Sequence, residues 1–381
     1  MEPSKPSLDL LRHLSDQHVL TALIDEPRLT RAQIATRSGL SKPTVGESVR
    51  RLVESGVVRD TGGVTTGRRG RAGTLFALAD DIGVALAVSI APDGIRAEAV
   101  DVYGQVVATA VESLSRPASP DEVGRTLQRV VTEVGSASRP AVRLVVVSAA
   151  DPVDRRSGRL VHLPDAPFLV GDLSPKEVLQ GVVSAPVSID NDVNWAARAE
   201  RRATGDSLDD FAYLYLDEGL GCAVVSDGEV LRGARGLAGE VAHLLTRGAA
   251  GRAVPFTEVF AELGLRQEGS TAIEVEATVS AIAEAPGADD PSGTLGHLAG
   301  AIGGVLAAMI ALLDPEEIIL GGAVGSDPRL FAATEAAFRA MPRHVPLRRA
   351  TIVDQPSLTG VRQDALARLR TWVSTGGGAP G

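Results

Sequence analysis

The sequence predicts an α/β protein in three parts, a small N-terminal winged helix-turn-helix followed by two larger α/β lobes. Three observations carry this expectation. The first is charge: the 381-residue chain is acidic, net −10, but residues 1–80 hold 12 Lys+Arg against 9 Asp+Glu while residues 81–381 hold 26 against 39. Within residues 28–71 the balance is 10 basic to 3 acidic, and a local basic patch is the electrostatic footprint of nucleic-acid contact. The second is helix punctuation between residues 8 and 56. The third is an alternation of apolar runs and helical stretches from residue 83 onward, the signature of an α/β fold.

The helix signals come in order. Leu8, Leu11, Leu14, Val19, Leu20, Leu23 and Ile24 recur at helical spacing, and Pro27 ends that helix. Thr30 is a good N-cap for RAQIATRSG, which Gly39 closes. Ser41 caps SKPTVGESVRRLVESG, with Pro43 in the first turn, where a missing N–H costs nothing; Val45, Val49, Leu52 and Val53 are its apolar face and Gly56 its stop. Helix, short helix, tight turn, helix is the helix-turn-helix pattern. The following VVRDTGGVTTGRRGRAGTLFAL gives two β-rich runs around a Gly/Arg-rich tip, a wing.

In such a motif the start of the second helix enters the major groove. Ser41, Lys42, Thr44, Glu47 and Ser48 are therefore the candidates for base edges, and Arg50 and Arg51 for phosphates. Arg68, Arg69 and Arg71 on the tip are candidates for the minor groove or the backbone. The plainer alternative is a helical docking domain with a solvated basic loop; agreement of turn, cap, proline, wing and charge favours double-stranded DNA.

In the remainder, GVALAVSIAP, GIRAEAVDV and QVVATAVESL read as three strands. DEVGRTLQRVVTEVGSA reads as a helix, RLVVVSAA as a buried strand and SPKEVLQGVV as another helix. PVSIDND is a strand ending in acids and VNWAARAERRATG is helical; FAYLYLDEGLGCAVVSDGEVL is a strand pair around a glycine turn. LGHLAGAIGGVLAAMIALLD is a long apolar helix, a core helix or a dimer or interlobe element, and EEIILGG is a strand. APGADDPSG reads as a loop and the terminal glycines as a tail.

These segments carry a resemblance. The winged motif followed by PVDRRSG, IDNDVNWAARAE, DEGLGCAVVSDGEVLRGARGLAGEVAH, FTEVFAELGL and IILGGAV resembles the ROK family of repressors, open reading frames and sugar kinases, over essentially the whole chain and in the right order. The resemblance implies a two-lobed actin-like, ribonuclease-H-like ROK domain with a sugar cleft. The implied division is residues 1–80 for DNA binding, 81–190 and 191–374 for the lobes, and 375–381 for a disordered tail. It also implies a sugar site of Asn191, Asp192, Glu240, His243 and Glu258, in which an amide and carboxylates pair with hydroxyls. Read alone, Asn191 and Asp192 are equally a helix N-cap.

The departures from the family pattern are as informative. The zinc segment, HLLTRGAAGRAVPFTE here, has no cysteine, and the chain's one cysteine, Cys222, lies elsewhere. No metal, no cofactor and no disulfide are expected, and residues 246–255 are expected to form a mobile loop. Kinases of the family carry Asp-x-Gly-x-Thr on the first strand, where this chain has AVSIAPDG; their Gly-Thr-Gly-x-Gly is Asp217-Glu218-Gly219-Leu220-Gly221 here. Two carboxylates would repel ATP phosphates, so no catalytic residue is expected and Gly321-Gly322 become turn glycines. SAADPVD replaces a glycine-rich turn beside the sugar, and Asp165 stands where an Asn often reaches it.

The expected function is a repressor of sugar-metabolism genes, released by a sugar or sugar-phosphate effector and acting as a homodimer or dimer of dimers. The alternatives are a ligand-independent or partner-controlled regulator with a decayed cleft, and an active sugar kinase. No apolar run of about 18 residues and no signal-like N-terminus are expected, hence a cytoplasmic protein without a membrane partner.

Overall fold

The computed structural model describes residues 8–63, 73–163, 170–285 and 292–376. The N-terminal domain is α1 (Leu8–Asp25), β1 (Leu29–Thr30), α2 (Arg31–Ser38), α3 (Lys42–Glu54), β2 (Val58–Gly63) and β3 (Thr74–Leu78). Its three strands pair in the order β1-β3-β2, antiparallel throughout. Thr30 and Gln33 form a reciprocal capping box on α2, with bonds of 2.8 and 3.3 Å, a feature worth about 1 kcal/mol. Gly39 ends α2 in the left-handed region at φ 71. Ser41 Oγ accepts the Thr44 N–H at 3.3 Å and caps α3.

Two expectations in this domain need correction. Val45, Val49 and Leu52 are buried, but Val53 sits at the edge of that stripe and is 37% exposed. In α1 only the second half, from Val19, enters the core; Leu8, Leu11 and Leu14 face solvent.

The first lobe holds β4 (Val84–Ala91), β5 (Gly94–Val100), β6 (Val106–Ser113), α4 (Pro120–Ala137), β7 (Val142–Ala149), α5 (Pro175–Leu179) and β8 (Val187–Asn191). Its sheet runs β6-β5-β4-β7-β8, antiparallel among the first three strands and parallel across the last three. The strand period of two sends alternate residues to opposite faces. Leu86, Val88 and Ile90 of β4 face α4, while Ala85 and Ala87 face the other way. Both faces are covered, which is why these strands read as continuous apolar runs.

α6 (Asp192–Ala203) leads into the second lobe: β9 (Phe211–Leu216), β10 (Leu220–Ser226), β11 (Glu229–Val230), β12 (Leu245–Arg247), β13 (Ala253–Pro255), α7 (Phe256–Glu262), α8 (Val275–Glu284), α9 (Thr294–Leu313), β14 (Glu317–Gly321), α10 (Gly322–Gly325), α11 (Pro328–Arg339) and β15 (Leu347–Arg349). Its main sheet runs β11-β10-β9-β14-β15. In each lobe the strands lie third, second, first, fourth, fifth, so the lobes repeat one arrangement, the ribonuclease-H-like one. α9 is apolar and long enough to cross a bilayer, contrary to expectation. Its Leu298, Ala301, Ile302, Val305 and Leu306 are fully buried in the second lobe's core, so burial within the protein accounts for its composition.

Residues 246–255 are not an irregular loop. β12 and β13 form a hairpin, held by the Gly248 N–H to the Arg252 carbonyl at 2.8 Å and by the buried Thr246 hydroxyl to the Ala301 carbonyl at 2.7 Å.

The last helix, α12 (Pro356–Ser374), falls in residues 191–374, the range expected to form the second lobe. It lies instead on the first: Leu358, Val361, Ala365 and Leu369 join Ala85, Ala87, Leu144 and Val146. The sequence places it at the C-terminus, but its apolar stripe matches the uncovered face of the first sheet. The same apolar cluster continues into the winged domain through Val19, Leu20 and Leu23.

Candidate functional site

Two surfaces carry chemistry. On the winged domain, Lys42 is exposed at the start of α3 with Thr44 half-buried after it, and Glu47 and Arg50 are exposed farther along the helix. The Ser41 hydroxyl is spent on the cap and lies 2.8 Å from Thr44 Oγ1. Arg50 bonds Glu47 at 3.0 Å and Glu54 at 2.7 Å. The Arg50 hydrogen bond holds the Glu47 carboxyl below its ordinary range. Both pairs are exposed, so each costs little to exchange for a phosphate.

Ser48 and Arg51 belong to a different role. Ser48 is fully buried and its hydroxyl donates to Asp16 of α1. Arg51 meets the same carboxylate at 2.6 and 3.3 Å. These two fix the recognition helix to α1; neither is free to reach DNA, because α3 turns them toward α1 rather than outward. Arg68, Arg69 and Arg71 lie outside the described residues.

The second surface is a cleft of about 600 Å³ between the lobes. It opens at the carboxyl ends of the sheet strands, where α/β folds place ligands. Ala91 ends β4 and Pro92 follows it, Ala150 and Pro152 follow β7, Asn191-Asp192 end β8 and begin α6, and Tyr215, Asp217 and Glu218 lie at and past the end of β9. Asp192, Glu240 and His243 all line it. Asn191 also lines it, but its Oδ1 caps α6 through the Val193 N–H at 3.0 Å and its Nδ2 turns to the Asp151 carbonyl at 3.3 Å. The N-cap reading of Asn191 is thus realised alongside the cleft position.

Glu240 is delivered by a tightly folded segment. Arg232 reaches the buried Asp190 at 2.7 Å, and the Cys222 N–H donates to the Gly239 carbonyl at 2.9 Å. Glu240 draws no hydrogen bond from the described residues. Glu240 is exposed to the open cleft, yet the protein around it pushes its carboxyl up, to about 7. Asp192 is also pushed up to about 7, chiefly by burial and then by the charges of Glu240 and Asp151. Asp192 and Glu240 both line the cleft, close enough for the Glu240 charge to raise Asp192. Asp192 Oδ1 accepts the Val193 N–H at 2.7 Å, and the remaining carboxyl oxygens are suited to accepting hydrogen bonds from hydroxyls.

Glu258 does not reach the cleft. It lies in the first turn of α7 and pairs with Arg266 at 2.9 Å. Its neighbour Thr257 lines the cleft instead, and the roughly 100° between successive helical residues turns Glu258 away. Asp165 lies outside the described residues.

The carboxylates that replace the family's phosphate loop make contacts within the protein. Asp217 Oδ2 accepts the Ala323 N–H at 2.8 Å, so the chain's own carboxylate occupies the backbone beside Gly321-Gly322. Gly322 has φ 81, and a Cβ on Gly321 would come 2.1 Å from the Tyr213 hydroxyl; both glycines are required by close approach. Glu218 pairs with Arg116 of the first lobe at 3.0 Å, across the cleft. Nothing in the sequence near Arg116 signals that contact.

Asp151, in the SAADPVD turn, is buried and accepts the Gly171 N–H at 2.8 Å. Burial pushes its carboxyl up to about 6. The folded state therefore holds this proton more tightly than the unfolded chain, so the stability it contributes falls as pH rises from about 4 to about 6. Asp151→Asn is expected to raise the melting temperature at pH 8 and to change it little at pH 4. The ceiling is about 3 kcal/mol from the size of the shift. Equal melting shifts at both pH values would contradict this.

Comparisons with known proteins fit this geometry. The ROK family profile matches residues 85–363 and a winged helix-turn-helix DNA-binding profile matches residues 12–59. A xylose repressor of Caldicellulosiruptor bescii is 25% identical over 239 residues, 61% of this chain and 59% of that protein. The chain thus spans about three fifths of the length of the repressors it matches. An N-acetylmannosamine kinase of Yersinia pseudotuberculosis is 28% identical over 297 residues, covering 71% of this chain and 98% of the kinase. Among solved structures, a ROK family transcriptional regulator, described as a homologue of the E. coli MLC protein, superposes with a TM-score of 0.62 at 17% identity. It covers 96% of this chain and 99% of its own.

Proposed function

The chain belongs to the ROK family, and from that premise we propose that it is a DNA-binding transcriptional repressor of sugar-metabolism genes, released from its operator by a sugar in the interlobe cleft. One observation carries the reading. A cleft that keeps the hydroxyl-accepting carboxyls Asp192 and Glu240 has its own Asp217 and Glu218 where ATP phosphates would lie, and sits in the same chain as a helix-turn-helix. The repressors among its relatives make xylose the first effector to test. Two copies would set two recognition helices about one DNA turn, roughly 34 Å, apart. A sugar releases the operator only by binding the DNA-incompetent conformation more tightly.

Lys42, Thr44, Glu47 and Arg50 of α3 are the proposed groove contacts, and Arg68, Arg69 and Arg71 the proposed wing contacts. Arg68→Ala with Arg69→Ala is expected to flatten the slope of log affinity against log salt by about 1.8, two phosphates at about 0.9 each. An unchanged slope would remove the wing from the interface.

A sugar kinase is the second reading, favoured by Asp192: a carboxyl pushed up to about 7 suits a general base working near neutral pH. Against it stand Pro92, which has no N–H to offer phosphate, and the Asp217 carboxylate on the Ala323 N–H. ATP turnover with xylose, glucose and N-acetylmannosamine separates the readings. The expected result is no sugar-dependent turnover; turnover that disappears in Asp192→Ala would establish the kinase.

A further inference from the structure

One helix joins the cleft to the DNA-binding domain. The entry to α12, Gln355 to Ser357, lines the cleft. One turn on, α12 touches α6, the helix that Asp192 begins: a Cβ on Gly360 would come 2.0 Å from the Trp195 carbonyl oxygen. The far half of α12 shares its apolar cluster with α1 of the winged domain, and Gly376, just past its end, lies beside His13. There Trp372 is held under the Arg143 guanidinium, 4.6 Å from the ring centroid. α1 in turn grips the recognition helix through Asp16, Ser48 and Arg51.

At 1.5 Å per residue, the 19 residues of α12 span about 28 Å. No proline or glycine interrupts the helix beyond Gly360, so it has no point at which to kink. We propose that α12 transmits the state of the cleft to the winged domain, with Trp372 as the positioning residue that seats its far end. This rests on the repressor reading above, and it differs from a mechanism in which only the lobe angle resets the spacing of two domains. A change in how Ser357 is packed tilts α12, α12 moves α1, and α1 carries α3.

A double-mutant cycle tests this without needing the effector. The readout is affinity of the full chain for a duplex that the native protein selects from a random pool. Ser357→Phe, which crowds the cleft end of α12, is expected to change duplex affinity at least fivefold in the native background and less than twofold in Trp372→Ala. Trp372→Phe is expected to restore the fivefold effect. Melting curves confirm that each variant is folded, and Ser357→Val serves as the smaller cleft substitution, read in the same way, should the Phe variant not fold.

An equal effect of Ser357→Phe in both backgrounds, or no effect in the native one, would overturn the proposal. Calorimetry with xylose on the native protein keeps the two readings apart. A non-additive cycle without heat from any sugar would leave α12 as the transmitter and remove the sugar. Sugar-driven release that survives intact in Trp372→Ala would do the reverse.

Discussion

Glu240→Ala is expected to abolish release of operator DNA by sugar while leaving affinity for DNA without sugar within about twofold. The carboxyl faces the cleft and draws no hydrogen bond from the described residues, so removing it takes little from the folded state. On the proposed function, its bonds are made to the sugar. Two hydroxyls hydrogen-bonded by a carboxylate contribute about 3–5 kcal/mol, a loss of more than a hundredfold in sugar affinity. Removing Glu240 also removes a charge that raises Asp192, so the remaining carboxyl should titrate lower. Calorimetry with and without operator DNA checks both halves. A sugar affinity that changes less than threefold would take Glu240 out of the site.

Gly239→Ala is expected to be among the most damaging single substitutions near the cleft. Gly239 has φ 94, and a Cβ there would sit 1.8 Å from the Cys222 carbonyl oxygen. The neighbour is backbone of β10 and cannot rotate away, so the segment carrying Glu240 must lift off that strand and stretch the Cys222–Gly239 bond of 2.9 Å. Backbone strain, a broken hydrogen bond and lost packing together cost about 3–5 kcal/mol, or a fall of about 5–15 °C in melting temperature. Sugar heat should be lost with it. A melting temperature within 2 °C of native, on the order of 1 kcal/mol, would mean that the segment has slack this geometry does not show.

Local signals made most of the fold legible in the sequence. Thr30, Gly39, Ser41 and Pro43 each act on their own neighbours, so the helix boundaries they mark are where the structure has them. The continuous apolar runs of β4 and β7 likewise need no distant partner to be read as strands. What stayed hidden depends on tertiary contact. Ser48 and Arg51 share α3 with the exposed Arg50, and only the packing of α1 separates an internal tie from a candidate DNA contact.

The same holds for α12 and for the cleft. A C-terminal amphipathic helix carries no sign of which lobe it covers. Glu258 and Thr257 differ by one residue, and only the onset of α7 decides which of them faces the cleft. Arg116 meets Glu218 from 102 residues away, beyond the reach of any local pattern. Asp151 was different: an acid in a turn otherwise rich in small residues was visible, and its burial beside Asp192 supplies the reason to notice it.

On the proposed function, this chain reads DNA and a sugar reverses that reading. The most direct measurement is a titration of sugar into the preformed complex of the native protein and its selected duplex, followed by fluorescence anisotropy of the labelled DNA. Xylose, or another unphosphorylated sugar of the panel, is expected to lower duplex affinity at least tenfold, an effect absent in Glu240→Ala. Anisotropy unchanged by every sugar, with DNA binding intact, would contradict the account and leave a regulator whose cleft answers to something else or to nothing.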